Sequence, residues 1–252
     1  VRAGNRQQVA IFFERNLAEV ATLGAEVTHP FTEDRAMSLT FYYAPNSTAS
    51  VTEAVLTELG VPCTRVKLDI SAGDTRKPEF LALNPNGRVP VIVHEGRPIW
   101  ESAAITMYLG EIFGVDAGLY PAPGPGRGDA MKWIVWCNVN LAEAGGRLAA
   151  SLPSDSEGAV QANSVDWVPP DQRSASAADR ARSDLAGCLT ILERALAGRP
   201  FLLGDYSLAD THLLGFVGWL GAMDVDMAPF LGVVQWLERC SERPALATLT
   251  AG

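Results

Sequence analysis

Residues 37–69, MSLTFYYAPNSTASVTEAVLTELGVPCTRVKLD, decide the fold class. Leu39-Thr40-Phe41-Tyr42-Tyr43 is dense in β-formers and is stopped by the turn pair Pro45-Asn46. Ser47 to Leu59 then sets Val51, Val55, Leu56 and Leu59 at helical spacing. Gly60 stands where a left-handed cap residue belongs, with Pro62 just beyond. Cys63 to Asp69 returns to a β pattern, alternating through Val66, Lys67 and Leu68. Strand, helix and strand within about 30 residues make a βαβ unit with a right-handed crossover.

Downstream, a polar connection (Ser71 to Lys77) and a short helix (Pro78 to Leu83) lead to the turn Asn84-Pro85-Asn86-Gly87. Val89 to Val93 reads as a strand, turned back at Glu95-Gly96 toward Pro98-Ile99-Trp100. Glu101-Ser102 opens a helix with Ile105, Tyr108, Leu109 and Ile112 on one face. The order predicts a thioredoxin-like domain whose four strands are mixed in direction. Pro90 stands inside the third expected strand, where proline is confined to edges, starts and bulges. Two readings stay open: a plain edge-strand proline, and a cis proline that leaves the Val89 N–H and C=O to a peptide-like partner. Glu101-Ser102 likewise reads as a helix N-cap or as an anion site, since a hydroxyl and unpaired N–H groups at a helix start suit a carboxylate.

The fold class is therefore α/β plus all-α, in four expected parts: an extension over 1–36, a thioredoxin-like domain over 37–117, a linker over 118–127 and a helical domain over 128–252. In the extension, Val9, Ile11, Phe12, Leu17, Val20 and Leu23 suit a helical face outside the core fold. It lacks a secretory signal pattern, and the functional domain is expected to start at Met37. Pro121-Ala122-Pro123-Gly124-Pro125-Gly126 is the linker core. A helix is expected from Asp129 to Leu152, with Met131, Ile134, Val135, Val139 and Leu148 as the apolar residues that fit it. Trp133 and Trp136 read either as core or as the wall of a second pocket. Pro153 to Ala175, with Trp167-Val168-Pro169-Pro170, is an irregular lid or mobile loop. Helices follow over Ala177 to Leu196, Thr211 to Met223 and Val233 to Cys240. Ser207-Leu208-Ala209-Asp210 is an N-cap pattern assigned to stability.

Of the 252 residues 48% are hydrophobic, enough for packed cores, and the net charge of −9 gives no footprint for a nucleic-acid backbone. No apolar run is long enough to span a bilayer. Cys63, Cys137, Cys188 and Cys240 are as scattered as His29, His94 and His212, so neither metal nor dithiol chemistry is expected. The thiols read as buried and inert, in a reducing compartment.

Tyr43-Ala44-Pro45-Asn46-Ser47-Thr48-Ala49-Ser50, Asn84-Pro85-Asn86-Gly87-Arg88-Val89-Pro90-Val91, Trp100-Glu101-Ser102-Ala103-Ala104-Ile105-Thr106 and Ser207-Leu208-Ala209-Asp210-Thr211 together resemble the cytosolic glutathione transferase superfamily in its bacterial form. The resemblance covers the chain from Met37 onward. It implies that the thioredoxin-like domain binds glutathione as co-substrate and that the helical domain shapes the pocket for a small hydrophobic electrophile. It further implies a cytoplasmic, detoxifying homodimer without a metal. By this resemblance Val89-Pro90 would carry the cis proline beside the cysteinyl backbone, Glu101-Ser102 would hold the γ-glutamyl end, and Arg88 with Lys77 (Arg76 nearby) would meet the glycyl carboxylate.

A thiol ionises near pH 8.5 and needs a donor to stabilise its thiolate. The turn Pro45 to Ser50 resembles that of the plant serine-type enzymes, whose active serine would fall on Ser47. In the register of the bacterial cysteine class, Thr48 stands where the cysteine would be, which implies hydrogen-bond activation instead of mixed-disulfide chemistry. Asn46 would assist as an amide donor, so the catalytic order is Ser47, Thr48, Asn46. Tyr43 reads as a strand residue of the core and Ser50 as a first-turn helix residue. Alternatives on the same site are glutathione-dependent peroxidase, reductase, isomerase or ether-cleaving chemistry. A different class is a non-catalytic binding module on the transferase fold.

Overall fold

The structure, a computed structural model, describes residues 39–152, 173–223 and 225–246. The expected helix in 1–36, the domain start at Met37 and the loop core at Trp167-Val168-Pro169-Pro170 lie outside the described residues.

Strand β1 (Thr40–Tyr43) runs into helix α1 (Ala49–Leu59) and returns as β2 (Thr64–Lys67). Gly60, at φ 61°, turns the chain out of α1, and the Val61 N–H closes back on the Leu56 carbonyl at 3.2 Å. A 3₁₀ turn (Asp74–Arg76) and the short α2 (Pro78–Leu81) lead to the hairpin β3 (Val91–His94) and β4 (Arg97–Trp100). The sheet order is β2-β1-β3-β4, with β1 and β2 parallel and the other neighbours antiparallel. Phe41 and Ile92 on the central strands are fully buried, as are Val55 of α1 and Ile105 and Leu109 of the helix after β4.

That helix, α3 (Ser102–Leu109), continues through a π turn (Gly110–Gly114). Its buried face is Ser102, Ile105, Thr106 and Leu109. Tyr108 and Ile112, expected on that face, are only half-buried. Tyr108 has a polar reason to lean aside: its hydroxyl lies 2.7 Å from His94 Nδ1. Gly110 sits under the Tyr120 ring, where an added Cβ would come within 2.7 Å of a ring carbon. Pro90, expected inside the third strand, stands just before it and does not interrupt it.

The helical half holds α4 (Pro125–Trp136), a π turn (Cys137–Ala142), α5 (Glu143–Ser151), α6 (Ala175–Leu196), α7 (Leu208–Ala222) and α8 (Leu231–Ser241). Helix α4 begins inside the expected linker because Pro125, with its fixed φ and missing N–H, suits a first helical position. Its buried row is Ala130, Ile134, Cys137 and Leu141, continued by Ala144 and Leu148. Val135 and Val139, apolar residues that fit the expected helix, lie off that row and are 44% and 64% exposed. The buried row mixes small residues (Ala130, Cys137, Ala144) with large ones (Ile134, Leu141, Leu148). Trp133 and Trp136 pack edge to face against each other at 5.3 Å, half-buried against the core.

Ser207 and Asp210 form a full capping box on α7. The Asp210 carboxylate also accepts from the Leu202 N–H and the Trp236 indole, which ties α7 to α8. Helix α7 packs on α1 so closely that an added Cβ at Gly215 would lie 2.7 Å from Val51. Beside this contact Arg243 donates twice to the buried Glu58 carboxylate, at 3.1 and 2.8 Å, and the Tyr206 hydroxyl donates a third bond. Apolar packing and a fully satisfied carboxylate thus help to hold the two halves together.

Candidate functional site

Strand register gathers the candidate residues. Tyr42 pairs with Val91 and Val91 with Trp100, so one row of the sheet joins the end of β1, the start of β3 and the end of β4. The Asn46-Ser47-Thr48 turn, the Val89-Pro90 segment and Glu101-Ser102 therefore leave the sheet at the same end. The Val89–Pro90 peptide bond is cis. The Thr48 hydroxyl bridges the first two segments by donating to the Val89 carbonyl at 3.4 Å, a long bond from an exposed side chain.

The three turn residues are differently committed. The Ser47 hydroxyl donates to the Ala44 carbonyl at 2.7 Å and accepts from the Ala49 N–H at 3.2 Å. Its proton closes the turn. Thr48 keeps a hydroxyl held only weakly. Asn46 sits at φ 54°, a left-handed conformation that asparagine tolerates better than most residues, and its Oδ1 is buried without a hydrogen-bond partner.

Glu101 occupies φ 72°, outside the usual range for a residue with a Cβ, and is exposed. Ser102, the first residue of α3, is buried, and its Oγ accepts from the Asn138 amide at 3.0 Å. The cations are less convergent. Lys77 is paired with Asp74 at 2.6 Å, and Arg76 reaches the Asn86 carbonyl at 3.4 Å across Gly87. The Arg88 side chain is exposed, while its carbonyl accepts from Asn84 at 2.7 Å.

Pattern reading missed Asn138 and His212. His212 Nε2 lies 2.7 Å from Asn138 Oδ1, and its Nδ1 lies 2.9 Å from Thr106 Oγ1. Complete burial pushes the imidazole down to about 3, so it is neutral. The available signal was weak: Asn138 is one of two asparagines in its π turn and His212 one of three polar residues in a row, and nothing in the spacing singles either out.

Burial raises the thiols: Cys63 goes up to about 11, and Cys137, Cys188 and Cys240 are raised for the same reason. Among the described residues no helix is long and apolar enough to cross a membrane, and no group of three or more His, Cys, Asp or Glu is placed to hold a metal ion.

Residues 37–111 match the family model of the glutathione S-transferase N-terminal domain, and residues 158–244 match that of the C-terminal domain; together they span more than half of the chain. The chain is 26% identical over 206 residues to the glutathione S-transferase GstB of Escherichia coli K12, covering 80% of this chain and 92% of that one. It is 27% identical over 192 residues to a probable glutathione S-transferase, parC, of Nicotiana tabacum, covering 72% and 77%. Among solved structures, the glutathione transferase URE2P6 of Phanerochaete chrysosporium, in complex with oxidized glutathione, superposes with a TM-score of 0.71 at 25% identity, covering 84% of this chain and 94% of that one.

Proposed function

The chain belongs to the glutathione S-transferase superfamily, and on that premise we propose that it binds reduced glutathione at the end of the sheet and adds the thiolate to a small hydrophobic electrophile. The observation that carries this reading is the Thr48 hydroxyl held 3.4 Å from the Val89 carbonyl. It brings a weakly bound proton donor beside the backbone segment that the cysteinyl residue would pair with.

In this reading Ser102 donates its hydroxyl and backbone N–H to the γ-glutamyl carboxylate, and Glu101 accepts from the adjacent ammonium. Val89 pairs with the cysteinyl backbone next to the cis Pro90. Arg88 and Arg76 take the glycyl carboxylate, with Lys77 joining only if it leaves Asp74. Thr48 turns its hydroxyl from Val89 to the sulfur. A charge-assisted bond of about 1.5–3 kcal/mol lowers a thiol pKa by about 1–2 units. From an ordinary value near 8.5, the thiolate fraction at pH 7 rises from about 3% to about a quarter or more. Proximity of thiolate and electrophile supplies the rest of the acceleration. Thr48 is preferred to Ser47 as donor because the Ser47 proton already closes the turn, and Asn46 has the secondary role. A homodimer belongs to this reading by the family alone, and four free thiols suit the cytoplasm.

The test is conjugation of glutathione to chlorodinitrobenzene by Thr48→Ala, Thr48→Ser and Ser47→Ala. Thr48→Ala is expected to lower kcat about tenfold or more at nearly constant glutathione KM, with Thr48→Ser restoring most of it. Full turnover in Thr48→Ala with loss in Ser47→Ala would move the donor to Ser47. No glutathione binding by the intact chain would remove the enzyme reading.

A further inference from the structure

Four side chains from three helices form one hydrogen-bonded line across the boundary between the two halves. Thr106 Oγ1 lies 2.9 Å from His212 Nδ1, His212 Nε2 lies 2.7 Å from Asn138 Oδ1, and Asn138 Nδ2 lies 3.0 Å from Ser102 Oγ. Thr106 and His212 are wholly buried. Asn138 stands in the π turn Cys137–Ala142, and such a turn redirects side chains that a regular helix would aim elsewhere.

The line has a direction. A neutral imidazole has one N–H donor and one acceptor. Thr106 carries a hydroxyl proton in a site sealed from water, and its acceptor among the described residues is His212 Nδ1. The opposite tautomer would place an N–H against that hydroxyl and leave the threonine proton buried without a partner, which costs about 1–3 kcal/mol. The proton of His212 therefore sits on Nε2 and points at Asn138 Oδ1. That fixes the amide orientation, so the Asn138 NH₂ group faces Ser102. Because Ser102 Oγ accepts there, its own proton is left to point out of the line.

We propose that Asn138 and His212 are positioning residues that hold Ser102 as a hydrogen-bond donor and thereby select a carboxylate at the start of α3. The inference rests on the reading that glutathione binds there. It adds that the helical domain sets the polarity of the carboxylate subsite from behind. With the amide reversed, Ser102 would donate into the protein and present only lone pairs to the ligand.

Two measurements on the full chain test it. Calorimetric titration with reduced glutathione compares the unmodified chain, Asn138→Leu, Ser102→Ala and the double variant. Asn138→Leu is expected to weaken binding about five- to tenfold in the Ser102 background and less than twofold in the Ser102→Ala background, and to raise glutathione KM while kcat stays within twofold. Equal weakening in both backgrounds, or none, overturns the positioning role and leaves the glutathione site standing. Binding lost in the unmodified chain overturns both. Nitrogen-15 NMR of the chain's three histidines then reads the tautomer directly. A proton on Nε2 of His212 supports the line as drawn, and a proton on Nδ1 overturns it even if Asn138→Leu does not fold.

Discussion

Acidification from pH 7 to pH 5 is expected to destabilise the fold by about 2 kcal/mol through His212 alone. Burial holds this imidazole at about 3, against an ordinary value of 6.5. Between those two values the unfolded chain binds a proton that the folded chain refuses. Stability is therefore full above pH 6.5, falls as the pH drops below it, and stops falling near pH 3. Each unit contributes about 1.4 kcal/mol, and pH 5 lies about 1.5 units below the unfolded value. The structural reason is burial: protonation would place a charge where no water reaches, and it would also remove the acceptor of Thr106. For a chain of this size the loss corresponds to a fall in Tm of about 4–8 °C, measured by circular dichroism at pH 7, 6 and 5. Asp210, whose carboxyl is raised by burial, works in the opposite sense, so the readout is the difference between the unmodified chain and His212→Gln. The variant is expected to be less stable at pH 7 and to lose this part of the pH dependence. An identical fall in both chains would refute the reasoning.

Two further predictions concern other buried groups. Arg243→Ala leaves the Glu58 carboxylate buried with only the Tyr206 hydroxyl as donor, and should cost about 2–4 kcal/mol, read as a lower urea midpoint. Arg243→Lys should recover part of this, since an ammonium cannot make the forked pair or stack on Tyr206 at 4.1 Å. The folded chain should react slowly with a thiol-specific disulfide reagent at pH 7.5, because Cys63 at about 11 is ionised to about 0.03% and the other three thiols are buried. Rapid release of one equivalent before unfolding would contradict the packing around Cys63.

The thioredoxin-like half was legible because its information is local. Residues 39–69 carry β-formers, a turn, a helical stripe, a glycine cap and more β-formers in order, and the observed β1, α1 and β2 fall within two residues of that reading. The helical half was legible in its capping box and less so in its faces. Val135 and Val139 fit a helix by spacing, yet the buried row runs beside them through Ala130, Ile134, Cys137, Leu141 and Ala144. Two π turns also shift the periodicity, and a fixed 3.6-residue template cannot see them.

The candidate site shows the same division at finer scale. Residue types point to hydroxyls near a helix start, and the strand register brings Ser47, Thr48 and Ser102 to the same end of the sheet. What the letters do not carry is where each proton goes. Ser47 spends its proton on the Ala44 carbonyl three residues away, which the turn geometry decides. Ser102 receives a donor from Asn138, 36 residues on, and that amide is oriented by His212, a further 74 residues along the chain. A serine is donor and acceptor at once, so its chemical role is chosen by its neighbours. At Ser102 those neighbours come from the other half of the molecule. In the proposed reading the π turn after α4 and helix α7, packed against α3, belong to a carboxylate site as well as to the fold, so a substitution at Asn138 or His212 that leaves the core intact is expected to reverse what Ser102 offers to a ligand.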